Sequence, residues 1–342
     1  MKKILIVATG GTIGSSQKEG CRRLTPDVAK SILLENYFRS GGDLTAESFV
    51  DSGLKEKTLS ENMTLEKQMQ IARHIRAFDT DELSGIILLH GTDTLDHTAV
   101  LFSLLFCHIK VPMILVSGNR PPEDKKSNAT ANFSAAVKLI ENGLAPNVYA
   151  AYRNSDGITR LYLGSSLLGC GDFSEDLFAA ENKGVFPLDQ ELRLADADMK
   201  TLDSLSAKRP THLGKMMDNI NTLHRKVLLL RPHVGLDYSN IPLDGVDGIV
   251  HGTYHSGTVC VDGDSHSVMS LAQRCKEKGI PFYLAPCKLD SEQYESAYTA
   301  AECGIIPLYT SAVTAYYKLL IALSADLKKD ELSALMQHPI NK

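Results

Sequence analysis

The sequence predicts an α/β protein with two domains, a larger N-terminal parallel-sheet domain and a smaller C-terminal α/β domain. Short apolar runs of strand type alternate with segments of helical periodicity, which is typical of a parallel sheet covered by helices. The chain has 342 residues, and a chain of this length usually folds around more than one hydrophobic core. A polar stretch separates two alternating sets, so we expect domains at 1–195 and 225–342, joined by a connection at 196–224.

The first domain opens with a strand. Residues 3–9 form a short β-branched run that ends at Gly10 and Gly11, which predicts a buried strand leaving the sheet. Thr25 and Pro26 then provide the N-cap and the first position of a helix. The elements expected to follow are a helix over 64–77, a strand over 85–90, a helix over 95–107, a strand over 113–117, a helix over 128–141 and a strand over 148–152.

The second domain repeats this alternation over a shorter length. We expect strands at 227–231, 248–251 and 281–285, and helices at 267–278 and 312–323. In sheets of this kind, ligands bind beyond the carboxyl ends of the strands. Functional residues are therefore expected directly after the predicted strands.

Composition excludes several classes of function. The net charge of -5 gives no electrostatic basis for binding nucleic acid or an anionic membrane. No apolar run reaches transmembrane length, and the run at 4–8 is too short for a signal peptide. The seven cysteines are scattered, without a CxxC pair or zinc spacing, which indicates reduced thiols. We therefore expect a cytoplasmic protein.

Two motifs with threonines follow predicted strands, ATGGTIG at 8–14 and HGTDT at 90–94. In the first, the glycines allow the backbone to approach a ligand and leave N–H groups free to hold an oxyanion. The Thr12 hydroxyl would attack a carbonyl carbon once it is activated. An ordinary glycine-rich strand exit is the alternative.

The second motif places three polar side chains, Thr92, Asp93 and Thr94, on one strand-to-helix turn. One alternative is that Asp93 or Thr94 caps the helix that follows. Capping needs only one of them, so the cap leaves the others unexplained. A carboxylate at this place would also hold a substrate ammonium group.

Together, TGGTI and HGTDT resemble the bacterial-type L-asparaginase family, closer to its cytoplasmic type I. Further segments resemble that family: LSENMT at 59–64, VSGNRPP at 116–122, RLYLG at 160–164 and YHSG at 254–257. The resemblance covers nearly the whole chain, and it implies the two-domain asparaginase-like fold.

The resemblance implies a mechanism and a set of site residues. Thr12 would be the nucleophile that forms an acyl-enzyme with a side-chain amide. Thr92 and Asp93 would complete the catalytic set, with Asp93 on the substrate α-amino group and backbone N–H groups near Thr92 as the oxyanion hole. Ser60 would hold the α-carboxylate. The remaining substrate-binding positions are Gly11, Glu61 and Gly91.

The same resemblance implies a small amino-acid amide as substrate, L-asparagine or a related amide. It implies no metal and no cofactor. It also implies a homo-oligomer, dimer or tetramer, because the family completes each site with the second domain of a neighbouring subunit.

Three positions depart from the family pattern. Cys21 stands where a loop tyrosine supports the nucleophile, Gly169 where a lysine completes the catalytic set, and Thr258 where an asparagine follows the loop glycine. Lys125 and Lys126 are the nearest substitutes for that lysine by topology. Two alternatives follow: an amidohydrolase with an altered site, or a catalytically weakened protein that binds an amino acid or a dicarboxylate on the same scaffold.

Overall fold

The structure is a computed structural model that describes residues 2–18, 21–180, 184–208, 216–288 and 294–338. For residues 17, 18 and 21–23 it describes the backbone alone. The chain divides into two compact units, with the first running to Asn221 and the second beginning at Thr222.

The first unit is built from strands β1 to β11 and helices α1 to α5. The strands are β1 (Lys3–Ala8), β2 (Ser15–Lys18), β3 (Cys21–Leu24), β4 (Phe49–Asp51), β5 (Leu83–Leu89), β6 (Met113–Val116), β7 (Val148–Arg153), β8 (Thr159–Leu163), β9 (Leu167–Cys170), β10 (Leu177–Ala179) and β11 (Val185–Pro187). The helices are α1 (Pro26–Arg39), α2 (Leu65–Arg76), α3 (Leu95–Leu105), α4 (Ala129–Glu141) and α5 (Asp196–Ala207).

The main sheet has seven strands in the order β11-β8-β7-β6-β5-β1-β4. The neighbours from β4 to β7 pair in parallel, as the alternating sequence predicts. Strands β8 and β11 extend the sheet in antiparallel fashion. Two further pairs, β2 with β3 and β9 with β10, form hairpins outside the main sheet.

Helices cover the sheet because its parallel strands are apolar on both faces. In β1, Ile4 and Ile6 face a core cluster that includes Leu33 of α1 and Phe133 of α4. The intervening Leu5 is also completely buried. The predicted α/β architecture with a large parallel-sheet domain is confirmed.

Most predicted helices begin and end within two residues of the expected positions. The Thr64 side chain accepts a hydrogen bond from the Lys67 N–H at the start of α2, and Pro26 occupies the first position of α1. The expected connection at 196–224 contains α5, and Leu202 of this helix is fully buried in the first core. Residues 209–215 of that connection lie outside the described residues.

The second unit carries a four-stranded sheet in the order β12-β13-β14-β15, with every neighbouring pair parallel. Its strands are β12 (Val227–Leu230), β13 (Gly248–His251), β14 (Phe282–Leu284) and β15 (Ile306–Pro307). Its helices are α6 (Val268–Lys278), α7 (Glu295–Glu302), α8 (Ala312–Ser324) and α9 (Lys329–Gln337). Ile249, Leu271 and Phe282 belong to its core. None of the described helices is long and apolar enough to span a membrane.

Candidate active site

Three segments meet at the carboxyl edge of the first sheet: the ends of β1 and β5, and the stretch around Thr58. The Thr58 N–H donates to the Thr9 carbonyl at 2.8 Å, and the Gly11 N–H donates to the Thr58 carbonyl at 3.1 Å. The Thr9 hydroxyl donates to the Leu89 carbonyl at 2.9 Å. These bonds fix the GGT turn against the other two segments.

Glycines allow the two threonine motifs to touch. Gly11 has a φ of 73°, and a Cβ atom on it would lie 2.1 Å from the Gly91 Cα atom. A Cβ atom on Gly91 would lie 2.4 Å from the Ser60 hydroxyl oxygen. No larger residue fits either position without moving backbone or Ser60. The residues directly after these glycines, Thr12 and Thr92, are therefore brought close together.

Thr12 begins a single 3₁₀ turn that ends at Gly14. The turn is closed by the Gly14 N–H, which donates to the Gly11 carbonyl at 3.0 Å, and by the Ser15 hydroxyl, which donates to the same carbonyl at 2.7 Å. Thr12 itself is half-buried. Among the described residues, no hydrogen-bond partner of its hydroxyl is found, so this hydroxyl is available to a ligand.

The second turn is held by a buried histidine that sequence reasoning did not single out. His90 is 0% exposed, and burial lowers its pKa to about 4, so the ring is neutral near pH 7. Its Nδ1 donates to the Gly91 carbonyl at 2.8 Å, and its Nε2 accepts from the Thr98 hydroxyl at 3.0 Å. Gln68 completes the chain by donating its side-chain N–H to Thr98 at 3.0 Å. The sequence signal that could have identified this residue is a histidine directly before Gly-Thr at the end of a strand.

Asp93, Ser60 and Thr94 form a hydrogen-bonded group beside this turn. The Ser60 hydroxyl donates to the Asp93 carboxylate, and the Thr94 hydroxyl donates to the Ser60 carbonyl at 3.0 Å. The N-cap residue of helix α3 is Thr94, and its side chain accepts no capping hydrogen bond from the helix. Helix capping therefore does not account for the polar side chains of HGTDT. Glu61, the next residue after Ser60, is exposed.

A carboxylate lies where the resemblance implies a lysine. Gly169 in β9 has a φ of 84°, and a Cβ atom on it would lie 3.3 Å from the carboxyl carbon of Asp96. Asp96 stands in the first turn of α3 and is 6% exposed. In the part of the chain that the structure describes, neither Asp93 nor Asp96 forms an ion pair. Sequence reasoning missed Asp96, because its approach to Gly169 depends on the packing of α3 against β9.

The next residue, Cys170, carries a neutral thiol. Burial raises its pKa to about 11, and the nearby carboxylates of Asp176, Asp96 and Asp93 act in the same direction. A thiol in this state is a poor nucleophile. The raised pKa does not favour Cys170 as a replacement for the missing lysine or for Thr12.

The other two departures belong to a hairpin of the first unit and to a loop of the second unit. The Cys21 backbone pairs with Lys18 in the hairpin of β2 and β3, and its side chain is outside the described part of the chain. Thr258 is in the second unit, where its carbonyl accepts the Tyr254 N–H at 2.8 Å. Lys125 and Lys126 line a different cavity, which includes none of the candidate-site residues. The suggestion that these lysines replace the missing one gains no support.

Part of the chain matches a known family model. Residues 3–162 match the family model described as "Asparaginase, N-terminal". The N-terminal domain is of the asparaginase type. The predicted resemblance is therefore confirmed, and both threonine motifs lie within the matched residues.

Relatives of two kinds are similar to the chain. It is 27% identical over 241 residues to a glutamyl-tRNA(Gln) amidotransferase subunit of Methanococcus maripaludis, an alignment that covers 69% of this chain and 55% of the relative. It is 23% identical over 354 residues to an L-asparaginase of Thermococcus kodakarensis, covering 99% and 98% of the two chains. The alignment thus spans only about half the length of the Methanococcus relative.

Solved structures share the fold. The thermostable L-asparaginase from Thermococcus kodakarensis superposes with a TM-score of 0.76 at 21% identity, covering 99% of this chain and 98% of that one. L-asparaginase I from Vibrio cholerae gives a TM-score of 0.72 at 20% identity, with 99% and 97% covered. The chain has the two-domain asparaginase fold, and its relatives are hydrolases or amidotransferase subunits.

Proposed function

We propose that the protein is an amidohydrolase that cleaves a side-chain carboxamide, that of L-asparagine or a related amide, through an acyl-enzyme on Thr12. The observation that carries this proposal is the close approach of Gly11 to Gly91, the residues directly before Thr12 and Thr92, together with the bond from Ser60 to Asp93. A hydroxyl nucleophile beside backbone N–H groups is the arrangement that acyl transfer requires.

In the proposed reaction, the Thr12 Oγ1 atom attacks the amide carbon. The oxyanion that forms is held by backbone N–H groups near Thr12 and Thr92; within the described ranges, no acceptor is found for the N–H of Thr12, Thr92 or Asp93. The hydroxyl proton ends on the amide nitrogen, which leaves as ammonia. Water then hydrolyses the ester, which restores the Thr12 hydroxyl and releases the carboxylate.

Asp93 and Ser60 provide the proposed contacts to the rest of the substrate. The Asp93 carboxylate is exposed and already accepts the Ser60 hydroxyl, so a substrate ammonium group would share this acceptor. Ser60 is 2% exposed, which fixes its side chain. Gly11 and Gly91 provide the backbone that lines the site, and Glu61 stands at its exposed rim.

The direct test is ammonia release by purified protein from asparagine, glutamine and peptide-borne carboxamides. Thr12→Ala is expected to abolish turnover, whereas Thr12→Ser, which keeps a hydroxyl, retains part of it. Circular dichroism and thermal melting of both variants show whether the fold is intact. Absence of ammonia from every amide, or full activity of a folded Thr12→Ala protein, would overturn the proposal.

A second candidate is a catalytically weakened protein that binds an amino acid or a dicarboxylate. The carboxylate of Asp96 beside Gly169 favours it, because no lysine side chain extends from that position. This candidate predicts a raised melting temperature with aspartate and no hydrolysis. Saturable ammonia release that depends on Thr12 would exclude it.

We also propose, by analogy with the relatives, where the protein is located and how its chains assemble. We propose a cytoplasmic homo-oligomer, a dimer or tetramer, in which the loop of Tyr254 to Thr258 contributes to the site of a neighbouring copy. Light scattering on the purified protein measures the mass of the particle. A monomer at assay concentration with full activity would contradict this arrangement.

A further inference from the structure

A second candidate ligand site lies in the first unit, in a cavity that Thr12 does not line. It is a surface cavity of about 330 Å³, in the size range of small-molecule sites. Its walls come from the loop after β6, the first turn of α4, the turn between β7 and β8, and the hairpin of β9 and β10. The polar and charged lining includes Asn119, Lys125, Lys126, Arg153, Asn154 and Glu175.

The positive groups of this cavity are unpaired in the part of the chain that the structure describes. Lys125 and Lys126 are exposed and form no ion pair there. Arg153 donates its Nε–H to the Gly157 carbonyl at 2.9 Å, and its guanidinium meets no described carboxylate within ion-pair distance. Three cationic side chains therefore line the cavity without an ion pair to a described residue.

The surrounding acids are already bonded to other groups. Glu175 accepts from the Asn119 side chain at 3.0 Å, and its other oxygen lies 3.7 Å from the Arg120 guanidinium. Asp176 accepts from the Ser155 N–H at 2.6 Å and the Ser155 hydroxyl at 3.0 Å. Among the charged side chains that line the cavity, three are cationic and one, that of Glu175, is anionic.

Two further carboxylates near the cavity walls also bond to other groups of the protein. Asp156 binds the Arg160 guanidinium through both carboxylate oxygens. Asp124 accepts the Lys126 backbone N–H at 2.8 Å and lies 3.5 Å from Arg120. Asp156 is thus paired with Arg160, whereas the charge of Asp124 acts on both Arg120 and Lys126.

The walls are fixed by side-chain hydrogen bonds. Asn119 and Asn128 exchange bonds, each accepting the backbone N–H of the other, at 2.9 and 3.0 Å. The Asn128 side chain also donates to the Arg153 carbonyl at 2.8 Å. Asn154 binds both the N–H and the carbonyl of Leu177. The loops that carry the cations are therefore held in place before any ligand binds, which lowers the entropic cost of binding.

We propose that this cavity binds a small anion that carries a phosphate group or two carboxylates. Two ammonium groups and a guanidinium supply charge-assisted hydrogen bonds to such oxygens. Because Thr12, Ser60, Thr92 and Asp93 do not line the cavity, this site is independent of the proposed hydrolysis.

Isothermal titration calorimetry of the full chain at low ionic strength tests the proposal, with inorganic phosphate and succinate as separate probes and acetate as a single-carboxylate control. We expect one of the two probes to bind saturably and more tightly than acetate. Lys125→Met with Lys126→Met should weaken that binding at least about tenfold. Phosphate binding points to a phosphorylated metabolite and succinate binding to a dicarboxylate.

The matched control is Lys200→Met with Lys208→Met, which removes the same charge from exposed lysines of α5 and its C-terminal end. This control should leave binding unchanged, and Arg153→Gln should weaken it. No saturable binding of either probe, binding that survives Lys125→Met with Lys126→Met, or equal losses in the control would overturn the proposal. None of these outcomes depends on turnover, so failure here leaves the amidohydrolase proposal unaffected.

Discussion

The sequence His-Gly-Thr occurs twice at the end of a buried parallel strand, at 90–92 in the first unit and at 251–253 in the second. In both turns the histidine is 0% exposed. In both, its Nδ1 donates to the carbonyl of the next glycine, at 2.8 Å for His90 and 2.5 Å for His251. In both, its Nε2 meets a hydroxyl, that of Thr98 at 3.0 Å and that of Tyr238 at 2.9 Å.

The two turns differ in what surrounds them. Gly91 lies against Gly11 and Ser60, whereas a Cβ atom on Gly252 would meet its nearest neighbour at 3.3 Å. The Thr253 hydroxyl donates to the Pro286 carbonyl at 2.9 Å. No such partner is found for the Thr92 hydroxyl among the described residues. The buried histidine is thus common to both turns. The turns differ because a second loop lies against Gly91, whereas the threonine hydroxyl of the other turn is already bonded to Pro286.

The largest expected difference between the turns concerns their threonines. Thr92→Val should lower ammonia release by about 10²–10³-fold, because it removes a polar group from the site where the oxyanion forms, with little change in stability. Thr253→Val should leave turnover intact and cost about 1 kcal/mol of stability through the lost bond to Pro286. Equal effects of the two substitutions on turnover would contradict the expected difference between the turns.

The glycines provide the next test. Gly91→Ala should lower turnover by about 10²-fold and also lower the melting temperature, because its Cβ atom would displace Ser60 or the Gly11 backbone. Gly252→Ala meets only contacts of 3.3 Å and longer, so a small shift in melting temperature and unchanged turnover are expected. Calorimetry and ammonia release on both variants measure these effects. A harmless Gly91→Ala would show that the close approach of the two turns is not required.

The smallest expected difference between the two turns concerns the pKa values of their histidines. The pKa of His90 is lowered to about 4 and that of His251 is also lowered, in both cases by burial. An unfolded histidine takes up its proton near pH 6.5, so the His90 contribution to stability is complete above that pH and is lost as the pH falls toward 4. The full loss is up to about 3 kcal/mol for His90.

Ring nitrogen chemical shifts from histidine-labelled protein measure these pKa values and the tautomer directly. His90 should remain neutral, with the proton on Nδ1, well below pH 6, and His251 should titrate below an exposed histidine. A His90 ring that titrates near pH 6.5 would contradict its assignment as a buried structural group.

Local sequence patterns predict much of the fold. The β-branched run before Gly10 and the alternation that follows identify the parallel strands and their helices, and Thr25 with Pro26 marks the start of the first helix. The hairpin of β9 and β10 was not predicted. Its strands are short and expose Leu168 and Phe178, so they lack the continuous apolar run of a buried strand.

The residues of the candidate site also differ in whether local sequence patterns predict them. Thr12, Thr92 and Asp93 were identified because each follows a strand directly, and strand ends converge at one edge of a parallel sheet. Asp96 and His90 were missed, because their roles depend on neighbours distant in sequence, Gly169 for the first and Gln68, through Thr98, for the second.

Rapid acid quench followed by intact-protein and peptide mass spectrometry most directly tests the central claim that the contact of Gly11 with Gly91 creates a site where Thr12 is acylated. During turnover of asparagine, we predict one aspartyl group in ester linkage on the peptide that contains Thr12, and none in Thr12→Ala. Acylation of another residue, or hydrolysis by Thr12→Ala at the wild-type rate, would contradict it.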